Sequence, residues 1–137
     1  METWKMIEPN LGDHIRVKCN QIYHHGIYIG NNEVIAFGHP YNLLENHDQI
    51  EVVKTTIEEF LQGGFLEVRI YQKKELKEKR KPEEIIAVAK SKLGEKGYNI
   101  LHNNCEHFAN FCVFGKKISI QTELVHQQVQ AMLNKNK

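Results

Sequence analysis

Apolar and polar positions alternate through the first half of the chain, and apolar residues recur at helical spacing in the second. After a Gly12-Asp13 turn, Ile15 and Val17 alternate with polar neighbours over 11–18, which predicts a first strand. Strands over 24–29 and 33–37 flank the turn-forming tripeptide Gly30-Asn31-Asn32, so the pair reads as a hairpin. Its period of two sets His24, Gly26 and Tyr28 on one face and His25, Ile27 and Ile29 on the other. The two adjacent histidines therefore do different jobs. A polar, irregular loop over 38–48 leads to a strand over 49–54, and Thr55 or Thr56 is placed to cap a short helix ending at Gly63-Gly64. Alternation over 65–71 predicts a fifth strand.

Pro82 suits a first helical turn, and Glu83 and Glu84 complement its positive end. Ile85, Ile86, Ala89, Lys92 and Leu93 then follow at helical spacing as far as Gly94. Asn104 is the cap of a further helix ending near Gly115. Gln121 or Thr122 opens a last amphipathic stretch with Leu124, Val125, Val129, Met132 and Leu133, followed by a Lys/Asn-rich tail. Strands first and helices after them imply an α+β fold, an antiparallel sheet with helices gathered to one side.

With 137 residues the chain is the size of one domain. Eighteen basic against seventeen acidic residues, with no basic stripe interleaved with aromatics, leave no electrostatic footprint for nucleic acid. The locally basic run 73–81 carries Glu75 and Glu78 and reads as a solvated surface segment, capable at most of weak attraction to anionic lipid head groups. Three cysteines make no disulfide framework and imply a reducing interior. Residues 1–9 lack the apolar core of a secretory signal, and no run is long enough to span a bilayer, so the expected compartment is cytoplasmic.

Cys105 stands at the predicted start of a helix, where unpaired N–H groups and the dipole favour thiolate over thiol. Such a nucleophile needs a base brought from elsewhere by folding, and His24 is the best-placed candidate. A second reading stays open, because Cys105 also falls in register with Phe108, Ala109 and Cys112, an apolar stripe in which a thiol is simply buried. Cys19 and Cys112 read as structural. His107, two residues after Cys105, points to another side of the helix and suits a capping or sheet-contact role, with Glu106 pairing near the positive end. His102 reads as a loop residue. No spacing matches a zinc signature, and Gly63-Gly64 lacks the Lys and Ser/Thr of a phosphate-binding loop, so neither metal nor cofactor is expected.

The segments Gly12-Asp13-His14-Ile15, Tyr23-His24-His25-Gly26-Ile27-Tyr28-Ile29-Gly30 and Asn104-Cys105-Glu106-His107-Phe108 resemble the H-box and NC-box of the lecithin retinol acyltransferase family. That group of thiol acyltransferases and phospholipases lies within the circularly permuted papain-like, NlpC/P60-type superfamily. The likeness implies a single domain over 1–137, with a core at about 11–115 and a C-terminal helical extension at about 118–137. It also implies Cys105 as nucleophile and His24 as base. Twelve residues after the base, where the family usually has a second His, this chain has Ala36. His39 is a candidate third member, with Asn20 or a backbone carbonyl as alternatives. The Cys105 N–H, with Tyr23 or a nearby amide, would bind the developing oxyanion, and Asn104 would support it. The implied activity is a cysteine-dependent acyltransferase or a lipid or amide hydrolase acting on a small-molecule or lipid acyl donor through a thioester. The alternatives are a cysteine peptidase or amidase and a catalytically silent binding module.

Overall fold

A computed structural model describes residues 2–19, 21–42, 47–99, 103–115, 127 and 131–133. Six strands form one antiparallel sheet: β1 (Thr3–Lys5), β2 (His14–Cys19), β3 (Ile22–Gly30), β4 (Glu33–Phe37), β5 (Val52–Thr56) and β6 (Glu67–Ile70), in the order β1-β6-β2-β3-β4-β5. The helices are α1 (Ile57–Leu61), α2 (Lys73–Glu78), α3 (Pro82–Ser91) and α4 (Cys105–Phe114). The architecture is α+β, as the pattern predicts. No helix among the described residues is long and apolar enough to cross a membrane.

Local signals place most elements. Asn31 and Asn32 take positive φ, 53° and 59°, in the β3–β4 turn, a conformation that Asn tolerates better than other side chains. The Thr56 hydroxyl accepts from Glu59 N at 3.2 Å to start α1, and Pro82 opens α3. Two apolar clusters lie on opposite faces of the sheet. Ile27, Ile35, Phe37, Ile85, Ala89, Phe108, Ala109 and Cys112 pack α3 and α4 on one face, and Ile15, Val17, Val34, Ala36 and Val68 pack Phe60 of α1 on the other. The expectation of helices on one side thus needs correction. Phe60 fits its face because Gly26 lacks a side chain: a Cβ there would lie 2.7 Å from Val34 Cγ1 and 2.9 Å from Phe60 Cε2.

Two elements escape the sequence pattern. β1 is three residues long, too short to show a period, and exists through pairing with β6. α2 lies within the run read as a solvated segment; it has no buried face and starts where Glu75 Oε1 accepts from Gln72 N at 3.0 Å. The predicted strand over 49–54 begins at Val52, with Ile50 already buried ahead of it. Most of the amphipathic stretch from 121 lies outside the described residues.

Candidate active site

The site forms where β4 parts from β3. Their pairing runs from Gly30↔Glu33 back to Ile27↔Ile35, while β4 continues alongside β5 to Phe37↔Val52. The β3 backbone at 23–25 is left without a β4 partner, and the first turn of α4 fills the gap. Cys105 Sγ donates to the Tyr23 carbonyl at 3.8 Å, and the His25 main-chain N–H also faces the sulfur. In an extended strand these two groups flank the intervening residue on one edge. The thiol therefore sits in the plane of the sheet beside His24.

The α4 terminus is built as its cap predicts. Asn104 is extended, and its Oδ1 accepts from Glu106 N and His107 N, both at 3.0 Å, while Asn104 N donates to His107 Nδ1 at 3.0 Å. His107 is thus part of the helix cap. The Cys105 N–H has no hydrogen-bond partner among the described residues and lies against its own sulfur. The helix start does not, however, yield a resting thiolate. Burial pushes the Cys105 thiol up to about 12, with Glu106 and Cys19 adding in the same direction against the His25 N–H. In this setting desolvation outweighs the field of the helix end.

His24 and His25 take opposite faces, as strand parity predicts, and His24 projects to the α1 side with its ring tilted 30° on Phe60 at 4.9 Å between centroids. It is fully buried, and neither ring nitrogen has a hydrogen-bond partner among the described residues. Burial, with His39 adding in the same direction, lowers it to about 3; the Gly38 carbonyl favours the charged ring, from a position that makes no well-formed hydrogen bond. Cys105 and His24 therefore rest as a neutral thiol and a neutral imidazole, with no hydrogen bond between them. His39 stands close enough for its charge to be felt by His24, but its own ring stacks on Tyr41 at 4.9 Å and 8°. Continuing the β3–β4 register sets Gly38 opposite His24 and Ala36 opposite Gly26, so Ala36 is a diagonal neighbour.

Tyr23 offers its carbonyl to the thiol, and its ring packs against the Arg16 guanidinium at 3.8 Å. Cys112 is buried, its thiol pushed up to about 12 by burial, and Cys19 is half-buried beside the His24 N–H. An open pocket of 220 Å³ on the α1 face is lined by Cys19, Pro40, Tyr41, Leu61, Gln62 and Gly64, with Lys18 at its rim. Asn20 and His102 lie outside the described residues. Sequence reasoning missed the buried pair His14 and His25, whose rings meet on the α4 face. The strand parity that separates His25 from His24 also sets it on the same face as His14, its diagonal neighbour once β2 and β3 are in register.

A cysteine capped at a helix start against the free edge of a strand that carries a buried histidine defines an α+β thiol-site domain of the papain-like kind. The family model described as "Lecithin retinol acyltransferase" matches residues 7–118, and the chain belongs to that family. Curated relatives named "Lecithin retinol acyltransferase" from Rattus norvegicus, Mus musculus and Homo sapiens are each 28% identical over 142 residues, covering 89% of this chain and 62% of the relative. The chain thus spans about three-fifths of the length of these relatives.

Proposed function

We propose that the protein is a cysteine-dependent acyltransferase or hydrolase that works through a thioester on Cys105 with His24 as base. The observation that carries this reading is the fully buried His24 ring, both nitrogens unpartnered, on the residue flanked by the two main-chain groups that hold the thiol. Unsatisfied buried polar groups are rare because each costs about 1–3 kcal/mol, and a catalytic role is one of the few reasons to keep one. As substrate enters, the imidazole closes on the sulfur, a contact that commonly tightens only in the substrate complex. Its free nitrogen takes the thiol proton as sulfur attacks the ester carbonyl. The Cys105 N–H receives the oxyanion, the C–O bond breaks, and the imidazolium returns the proton to the departing alkoxide. Water, an alcohol or an amine then resolves the thioester by the reverse sequence.

The relatives' name supports a lipid acyl donor, for which the pocket on the His24 face is the entry, and the basic residues of α2 offer a weak contact with an anionic membrane surface. Three free thiols suit a reducing compartment. The second reading, a silent binding module, draws on Ala36 and on the missing His24 hydrogen bonds. Intact-protein mass spectrometry after exposure to phosphatidylcholine vesicles, an acyl thioester and an N-acyl peptide separates them. An acyl adduct from the lipid or thioester, absent in Cys105→Ala, is expected. An adduct from the peptide alone would mean a peptidase or amidase, and none from any donor a silent module.

A further inference from the structure

The face of β3 opposite His24 holds a buried polar cluster that the acyl-transfer steps do not use. His14 Nε2 lies 2.8 Å from His25 Nδ1, and His25 Nε2 lies 3.9 Å from Glu106 Oε2. The three residues are 0%, 1% and 2% exposed. Trp4 closes the cluster edge-on, 5.0 Å from His14 and 5.7 Å from His25, and burial, with Arg16 and Arg69 adding in the same direction, holds both imidazoles well below their ordinary range.

One placement of protons suits this geometry better than the other. If His25 Nδ1–H donated to His14, a bare His25 Nε2 would face the Glu106 carboxylate, and His14 Nδ1, which has no partner among the described residues, would be an orphaned buried donor. With His14 Nε2–H donating to His25 Nδ1, His25 Nε2–H instead faces the carboxylate, and the unpartnered His14 Nδ1 carries no proton. The chain of donors then runs from β2 through β3 to α4 and ends on the residue that follows Cys105.

We propose that His14, His25 and Glu106 are positioning residues that hold the first turn of α4 against the edge of β3 and so set the Cys105 sulfur; the proposal rests on Cys105 as nucleophile. His25 acts twice. Its ring faces the Glu106 side chain across 3.9 Å, and its main-chain N–H meets the thiol. A local detachment of this turn leaves Cys112, two helical turns deeper, in place.

The test compares His14→Ala, Glu106→Ala, the double variant, and the conservative His14→Gln and Glu106→Gln. His14→Gln retains a donor towards His25 Nδ1, and Glu106→Gln retains an acceptor for His25 Nε2–H. Native-state labelling with iodoacetamide should be about tenfold faster at Cys105 in either Ala variant, with Cys112 still protected, because one buried polar contact is lost from a local opening. Single-turnover acylation at saturating donor should fall about 100-fold with the half-saturating donor concentration unchanged, the expected effect of a displaced nucleophile. The double variant should be no worse than the poorer single one, and both Gln variants should behave as wild type. Equal acceleration at Cys105 and Cys112, unchanged Cys105 labelling, multiplying effects, or failure of the Gln variants to rescue would each overturn the proposal. Should the Ala variants not fold, the Gln variants decide it. If wild type forms no adduct, the function proposed above fails while the labelling comparison still tests this one.

Discussion

His24 should make folding stability depend on pH in a way that one substitution isolates. Its ordinary value of 6.5 falls to about 3 in the folded chain, chiefly through burial. The folded imidazole stays neutral while the unfolded one takes up a proton, so the contribution is fully present above 6.5 and is lost as pH falls from 6.5 towards 3. Between pH 7 and pH 5 the loss assigned to this single ring is about 2 kcal/mol, or close to thirtyfold in the folding constant. Urea unfolding of wild type and His24→Gln at both pH values measures it. Both proteins lose stability on acidification, because burial also holds His14 and His25 well below their ordinary value. The wild type should lose about 2 kcal/mol more than the variant over that interval. Equal losses would mean that His24 is hydrated or charged in the native state, and the argument for a neutral buried base would collapse.

Three further outcomes follow from the same geometry. In wild type, iodoacetamide should label half-buried Cys19 before Cys105 and Cys112, whose thiols burial raises to about 12; fastest labelling at Cys105 would show that the helix end does win over desolvation. Gly26→Ala should cost about 1–3 kcal/mol in urea unfolding, since the new methyl meets Val34 and Phe60 inside contact distance, and should slow acylation by shifting the ring that packs on His24. Asn104→Ala should cost about 1–2 kcal/mol by the same assay, because it removes the acceptor of two helix-start N–H groups.

What the sequence disclosed was mainly local. The Asn31-Asn32 turn, the Thr56 and Asn104 caps and Pro82 act within a few residues of themselves, so their elements could be read directly. The parity that sends His24 and His25 to opposite faces was equally legible, being a property of one strand. β1 was not, since its three residues owe their conformation to β6, more than sixty positions away. Nor was the docking of α4: pattern shows that Cys105 opens a helix, but its seat on the unpaired edge at Tyr23 and His25 depends on where β4 leaves β3. The same long-range packing reversed the expected thiol acidity, because burial is a property of the whole fold and the field of the helix end only of its first turn. The His14–His25–Glu106 cluster joins three segments, and no single stretch announces it.

Single-turnover acylation reads out whether Cys105 attacks an acyl group with His24 removing its proton. Wild type, His24→Ala and Cys105→Ala would be mixed with one activated ester, quenched in acid and mapped by peptide mass. Expected are an adduct on Cys105 in wild type, none on that peptide in Cys105→Ala, and a rate about 100-fold or more lower in folded His24→Ala, the usual worth of a general base. Acylation of Cys105 at the wild-type rate in folded His24→Ala would contradict that role of His24.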